Sequence, residues 1–253
     1  MFAEERIHQI LNILEKEGKV LVKDLSIKFN VTEGMIRKDL QRLEKEGKIK
    51  RTYGGAMLTR TIAENTNLSN RMVKNINLKN IIASKAFEII EDNDTIFLDI
   101  SSINFLVAEH IAKSTKKVTV ITNMMEIAPQ FRENTTSNVI CIGGIYNKKL
   151  GGAVGSEAID SISKYRVNKS FIGSCGINLL DKSISNFDLE EGNTKKAIIA
   201  ISKFTYVLME NEKFYYDGTY KFAKLSDIDA IITEDKPSSE IKKLLFEYNI
   251  AIV

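Results

Sequence analysis

The sequence predicts an α/β protein in two parts: a small helical module ending in a basic hairpin, joined to an open, mostly parallel α/β domain. Two observations carry this prediction. Within the first 50 or so residues, helical stripes follow one another closely and are punctuated by caps and glycines. From Leu78 onward, short apolar runs alternate with longer amphipathic ones, which means βα units and a mostly parallel sheet. A polar run with little apolar periodicity, Thr59 to Asn70, separates the two. We therefore place one domain at 1–57, a linker at 58–76 and a second domain at 77–253.

Ile7, Ile10, Leu11 and Leu14 make the stripe of a first helix over residues 4–17, which Gly18 is placed to end. Val20-Leu21-Val22 has the character of a short strand. A second helix runs from Lys23 to Phe29, and Asn30-Val31 forms the turn. Thr32 is the N-cap of a third helix that ends near Gly47, with Ile36, Leu40 and Leu43 on one side. Its opposite side carries Gly34, Lys38, Gln41 and Lys45, flanked by Arg37 and Arg42. Lys48 to Gly55 then reads as a strand running into a tight glycine turn.

This is the order of a winged helix-turn-helix. Such a third helix can lie in a major groove and offer Arg37, Lys38 and Arg42 to base edges and phosphates, and a hairpin with Lys50, Arg51 and Tyr53 can touch the backbone or the minor groove. A three-helix domain that binds protein remains the alternative. The net charge of +3 does not choose between them, but its distribution leans toward nucleic acid. Residues 1–60 hold 13 Lys and Arg against 9 Asp and Glu, and from Gly47 to Arg60 there are four basic residues and no acidic one.

In the second domain we expect a helix over 81–90, then strand 95–99, a helix over 104–113, strand 118–121, a helix before Arg132 and strand 139–142. Strand 169–173, a helix over 190–202, and strands 206–209 and 230–233 follow. A helix over 239–248 and a last strand over 250–253 complete it. Open sheets of this kind bind ligands outside the carboxyl ends of their strands. Asp99 ends the first strand, and Ser101 and Ser102 precede a helix whose N-terminus suits a phosphate, although Ser-Ser also serves as a plain cap. Thr122-Asn123, Gly143-Gly144, Gly152 and Gly155 follow the next strands, either as ligand contacts or as turn residues. Lys195 lies four residues after Glu191, a spacing that fits an ordinary salt bridge or a ligand charge, and Lys213 follows strand 206–209.

Hydrophobic content of 43% and charged content of 27% exclude a disordered chain. Cys141 and Cys175 are too few and too far apart for a disulfide framework or a CxxC metal site. The chain has no bilayer-length apolar run and no signal-peptide pattern at Met1-Phe2-Ala3, so a cytoplasmic location without membrane partners is expected. No nucleophile triad, metal cluster or cofactor motif stands out, so no catalytic residue, metal ligand or cofactor is assigned.

Over essentially its whole length the sequence resembles the DeoR family of bacterial transcriptional regulators. The resemblance rests on Arg6-Ile7, Asp24-Leu25, Val31-Thr32, Ile36-Arg37-Lys38-Asp39-Leu40, Leu43-Glu44-Lys45-Glu46-Gly47 and Arg51-Thr52-Tyr53-Gly54-Gly55-Ala56. In the second domain it rests on Thr122-Asn123, Gly143-Gly144, Val154-Gly155, Phe171-Ile172-Gly173, Gly176-Ile177, Glu191 with Lys195, and Lys213-Phe214. It implies a sugar-phosphate-sensing α/β domain similar to ribose-5-phosphate isomerase and CoA transferases. It further implies a homo-oligomer, dimer or tetramer, that binds double-stranded operator DNA and responds to a phosphorylated sugar or other small anionic effector. Most members repress, and many control carbohydrate operons. The family's Asp-Ser-Gly-Thr-Thr loop stands here as Asp99-Ile100-Ser101-Ser102-Ile103, and Met35 and Lys38 replace the frequent Thr and Arg. These departures bear on ligand and operator, not on fold. An enzyme on the same scaffold, with Asp99 or Glu191 as base, and a regulator without ligand response are the competing readings.

Overall fold

The computed structural model describes residues 2–64, 66–133 and 136–253, so Met1 and, within the expected linker, Asn65 lie outside the described residues. The chain opens with helix α1 (Ala3–Glu17), strand β1 (Lys19–Leu21), helix α2 (Val22–Phe29), helix α3 (Glu33–Lys45) and the hairpin β2 (Ile49–Thr52) and β3 (Gly55–Leu58). Val22, expected to close the first strand, instead begins α2. The hairpin and β1 form an antiparallel sheet in the order β1-β3-β2. Gly55 is required there, because a Cβ on it would stand 2.0 Å from the Val20 carbonyl oxygen across the β1–β3 pair.

Local chemistry sets these boundaries. Gly18 ends α1 in the left-handed region, with its N–H donated to Leu14. Asn30 makes the left-handed turn between α2 and α3, and the Thr32 hydroxyl accepts the Met35 N–H as the cap of α3. Ile10, Leu14, Leu25, Ile36, Leu40, Leu43 and Ile49 close a core of their own. Beneath it, Arg6 of α1 grips Asp39 of α3 through two hydrogen bonds of 2.5 and 3.1 Å, both side chains being buried.

The expected linker is built. It holds strand β4 (Thr61–Ile62) and helix α4 (Leu68–Val73), which Asn67 caps. Helix α5 (Ile76–Ile89) begins five residues earlier than expected. Then come β5 (Thr95–Leu98), α6 (Ser102–Ala112), β6 (Thr119–Thr122) and β7 (Asn138–Cys141). The helix expected before Arg132 is only a short 3₁₀ turn over Ala128–Phe131, where Pro129 removes a backbone donor. Hairpin β8 (Ile145–Asn147) and β9 (Gly152–Val154), helix α7 (Ser156–Ser163) and strand β10 (Val167–Gly173) follow. Next are β11 (Gly176–Asn178), β12 (Ser183–Asn186), α8 (Leu189–Ala200) and β13 (Ser202–Leu208). The chain ends with β14 (Tyr216–Asp217), β15 (Tyr220–Lys224), β16 (Ala230–Ile232), α9 (Ser239–Glu247) and β17 (Ala251–Ile252).

Seven strands form the central sheet in the order β17-β16-β13-β10-β5-β6-β7, with every pairing parallel. Side chains alternate between its two faces. Ile96, Leu98, Val120, Phe171, Leu208 and Ile232 join the core under α5 and α6, while Phe97, Ile121, Ile172, Val207 and Ile231 join the core under α7, α8 and α9. From β5 the chain winds outward through β6 and β7, then returns to β10 on the other side and winds outward again. The order therefore reverses between β5 and β10, and a crevice opens at their carboxyl ends.

Candidate functional site

Two surfaces concentrate chemistry. The first is the solvent face of α3 with the hairpin. Gly34, Met35, Arg37, Lys38, Gln41 and Arg42 are exposed on α3, as are Thr32 at its cap and Lys50, Arg51 and Tyr53 on the hairpin. The fully exposed Tyr53 ring stands at the hairpin tip. Arg51 donates from its backbone and its Nε to Glu44, at 2.9 and 2.6 Å, and so ties the hairpin to α3. Arg37 pairs with Glu33, and Arg42 with Glu4 and Glu46, all at the surface. Solvent-exposed pairs of this kind are weak, and a phosphate can displace them. Among the described residues, Lys38, Gln41, Lys50 and Tyr53 make no side-chain pair within the protein. Sequence reasoning missed the Arg6–Asp39 clamp that fixes this helix against α1. Its only sequence signal was an acidic residue on the otherwise apolar side of α3.

The second surface is a cavity of about 510 Å³ at the β5–β10 crevice. Asp99, 1% exposed, sits beneath it. Its carboxylate accepts the Gly173 N–H at 3.1 Å and the Asn104 amide at 2.7 Å, and it bonds the Lys195 ammonium. Lys195 also reaches Glu191 at 3.2 Å. Burial works against the Lys195 charge, but the Asp99 and Glu191 carboxylates outweigh it and raise the pKa. The i,i+4 pair foreseen in the sequence is thus one half of a buried triad. The same triad occupies both carboxylates that a base role would need.

Of the other ligand candidates, Ser101, Ser102, Glu191, Lys195 and Lys213 border the cavity. Ser101 caps α6 by accepting the Asn104 N–H, and Ser101, Ser102 and Ile103 at that helix N-terminus line the cavity. Thr122, Asn123, Gly143, Gly144, Gly152 and Gly155 do not border it. The Thr122 hydroxyl donates to the Leu98 carbonyl at 2.7 Å, and the Asn123 amide to the Ala153 carbonyl at 2.9 Å.

Several lining residues were invisible in the sequence: Arg71 of α4, Lys79 of α5, Asn186 of β12, and Glu210 after β13. Lys79 is buried, donates to the Arg71 carbonyl, and lies 3.9 Å from Glu210. Burial, only partly offset by Glu210 and deepened by Lys213 and Arg71, pulls its pKa down to about 8. Glu210 bonds Lys213 at 3.0 Å; burial opposes its charge, but Lys213 and Lys79 prevail and lower its pKa. The buried Arg71 Nε has no partner among the described residues. Burial also pushes the Cys175 thiol up to about 11, which keeps it protonated and unreactive.

One wall of the cavity comes from Thr61, Ile62, Ala63, Glu64 and Thr66, directly after the hairpin. Arg60 anchors this strap. Its guanidinium bonds both Asp217 carboxylate oxygens, at 2.9 and 2.8 Å, and the carbonyls of Phe214, Tyr216 and Ile177. β4 then pairs in parallel with β14. The 3₁₀ turn before β14, Asn211–Tyr215, carries Lys213 into the cavity and sets Tyr215 against Gly18, where a Cβ would meet the phenol oxygen at 2.6 Å. Among the described residues, no group of His, Cys and carboxylates is arranged to hold a metal, and no helix is long and apolar enough to cross a membrane.

Comparison with known proteins matches both domains. Residues 6–61 match the DeoR-like helix-turn-helix domain, and residues 74–235 match the DeoR C terminal sensor domain. Over 246 residues the chain is 29% identical to the HTH-type transcriptional regulator GolR of Listeria innocua, spanning 96% of this chain and 95% of that protein. It is 28% identical over 248 residues to the glycerol-3-phosphate regulon repressor of Escherichia coli, spanning 98% and 97%. Likeness to a solved ribose 5 phosphate isomerase A from Neisseria gonorrhoeae is slighter, with 16% identity, a TM-score of 0.39, and coverage of 55% of this chain and 53% of that one. With both domains matched in the order the structure shows, the chain belongs to the DeoR family of transcriptional regulators.

Proposed function

We propose that this protein represses a carbohydrate-metabolism operon by binding operator DNA through α3 and the hairpin. A phosphorylated sugar or similar small anionic metabolite in the 510 Å³ cavity weakens that binding. The observation that carries the reading is the strap: the residues that leave the hairpin are the residues that wall the cavity, so occupancy and operator contact share one segment. The N-terminus of α6, Ser101, Ser102, Lys79, Lys213 and Arg71 supply donors and positive charge for a phosphate. The repressor role follows the function named for the Escherichia coli relative.

In this reading the protein works as a homo-oligomer, a dimer or tetramer, since paired helix-turn-helix units match paired half-sites. Apolar side chains left in solvent along α4 and α5, Val73, Ile76, Leu78 and Ile81, support such an association. A footprint on the DNA upstream of the protein's own gene tests the DNA reading. Protection is expected at low salt and should fade steeply as salt rises, because bound phosphates release counterions. No protection at any salt would rule the reading out.

A further inference from the structure

Asn186 ends β12 and is fully buried, yet neither its amide nitrogen nor its carbonyl oxygen has a hydrogen-bond partner among the described residues. Folded proteins leave few such groups, because a buried donor or acceptor that gives up water and gains nothing destabilises the fold. The other buried amides with an unpartnered oxygen differ. Asn104, Asn123, Gln130 and Asn211 each donate from nitrogen to a backbone carbonyl. The strand around Asn186 is also otherwise satisfied: the Ser185 hydroxyl donates to the Gly176 carbonyl and accepts the Gly218 N–H. Asn186 is thus the amide open at both ends, and it borders the cavity beside Glu191 and Lys195.

We propose that Asn186 is a specificity-determining residue that recognises hydroxyl groups on the ligand's carbon chain. The inference rests on the cavity being the effector site proposed above. A carboxamide presents an acceptor and a donor side by side. A doubly ionised phosphate monoester, a sulfate or a carboxylate only accepts, so it can satisfy the nitrogen but never the oxygen. A hydroxyl both donates and accepts, and a run of hydroxyls can satisfy both ends. The amide therefore selects a polyhydroxylated phosphate over an anion that only accepts, such as sulfate or an acyl phosphate.

The test is Asn186→Leu, of similar volume and without the amide, followed by thermal unfolding with and without ligand. Without ligand, the variant should unfold at the same temperature as wild type or higher, because an unpartnered buried amide has been removed. With glycerol 3-phosphate, ribose 5-phosphate and glucose 6-phosphate as probes, the best of them should bind wild type more tightly than sulfate does. That advantage over sulfate should fall about tenfold in the variant, the worth of one or two hydrogen bonds. A lower unfolding temperature without ligand would make Asn186 a structural residue and overturn the proposal, as would a variant that keeps the full preference. If none of the probes stabilises wild type, the effector reading is what fails; the ligand-free comparison still decides whether this amide is held open at the fold's expense.

Discussion

Asp39 and Lys79 are both buried charges, and they serve opposite ends. Asp39 has a dedicated partner in Arg6, whose pKa is raised by the hydrogen bond and charge of Asp39 against the effect of burial. Removing one member leaves the other charged and dry. Asp39→Ala should therefore cost about 3–5 kcal/mol, read in urea unfolding of the N-terminal transition. Lys79 has no full partner, and its pKa near 8 shows it. An anion in the cavity favours the charged form, so effector affinity should decline above about pH 8 as the empty protein loses that proton, by up to about tenfold per pH unit. Stability of the empty protein moves the other way. The unfolded lysine holds its proton to about pH 10.4, so between these values the unfolded chain binds more protons and this group's contribution to stability rises with pH. Calorimetric titration of the effector from pH 7 to 9 checks the first effect, and Lys79→Met should flatten the profile.

The element that matters most is the strap that Arg60 anchors, running on through Thr61, Ile62, Ala63 and Glu64. A run of polar residues without periodicity gives no hint of structure, because its order comes from tertiary partners: Asp217, the β14 edge and three carbonyls. Arg60→Met should leave both surfaces folded and the cavity able to bind. The ratio of operator affinities with and without effector should shrink from the roughly 5–150-fold typical of coupled sites toward one, measured by paired DNA titrations. The contrast with α3 is instructive. Thr32, the apolar stripe and Gly47 are local signals, so that helix and its exposed face were legible residue by residue. The β strands of the central sheet were legible as apolar runs. The strands β8, β9, β11, β12 and β15 were not, being three to five residues long and broken up by glycine or polar residues, as in Ser183-Ile184-Ser185-Asn186. The cavity divides the same way. Ser101, Ser102 and Lys213 lie where strand ends predict and Glu191 and Lys195 show as a helical i,i+4 pair, whereas Arg71, Lys79 and Asn186 reach the cavity from segments whose fold is set at long range.

At the scale of the whole molecule, the winged helix rests on the sensor domain at few points. Tyr215 lies against Gly18, Lys19 pairs with Glu240 at 2.8 Å, and the strap runs between the domains. Two of these three points involve the 211–217 segment that also carries Lys213 into the cavity. On the proposed reading, a ligand that draws Lys213 inward would act on the same turn that seats α1, and a shift in that seat would re-aim α3 relative to a second copy on paired half-sites. The most direct test is operator affinity of the wild-type protein, measured by fluorescence anisotropy at fixed salt, without effector and with the sugar phosphate that most raises its unfolding temperature. A fall in operator affinity of about tenfold or more is predicted. An operator affinity unchanged by a ligand that demonstrably fills the cavity would contradict the account.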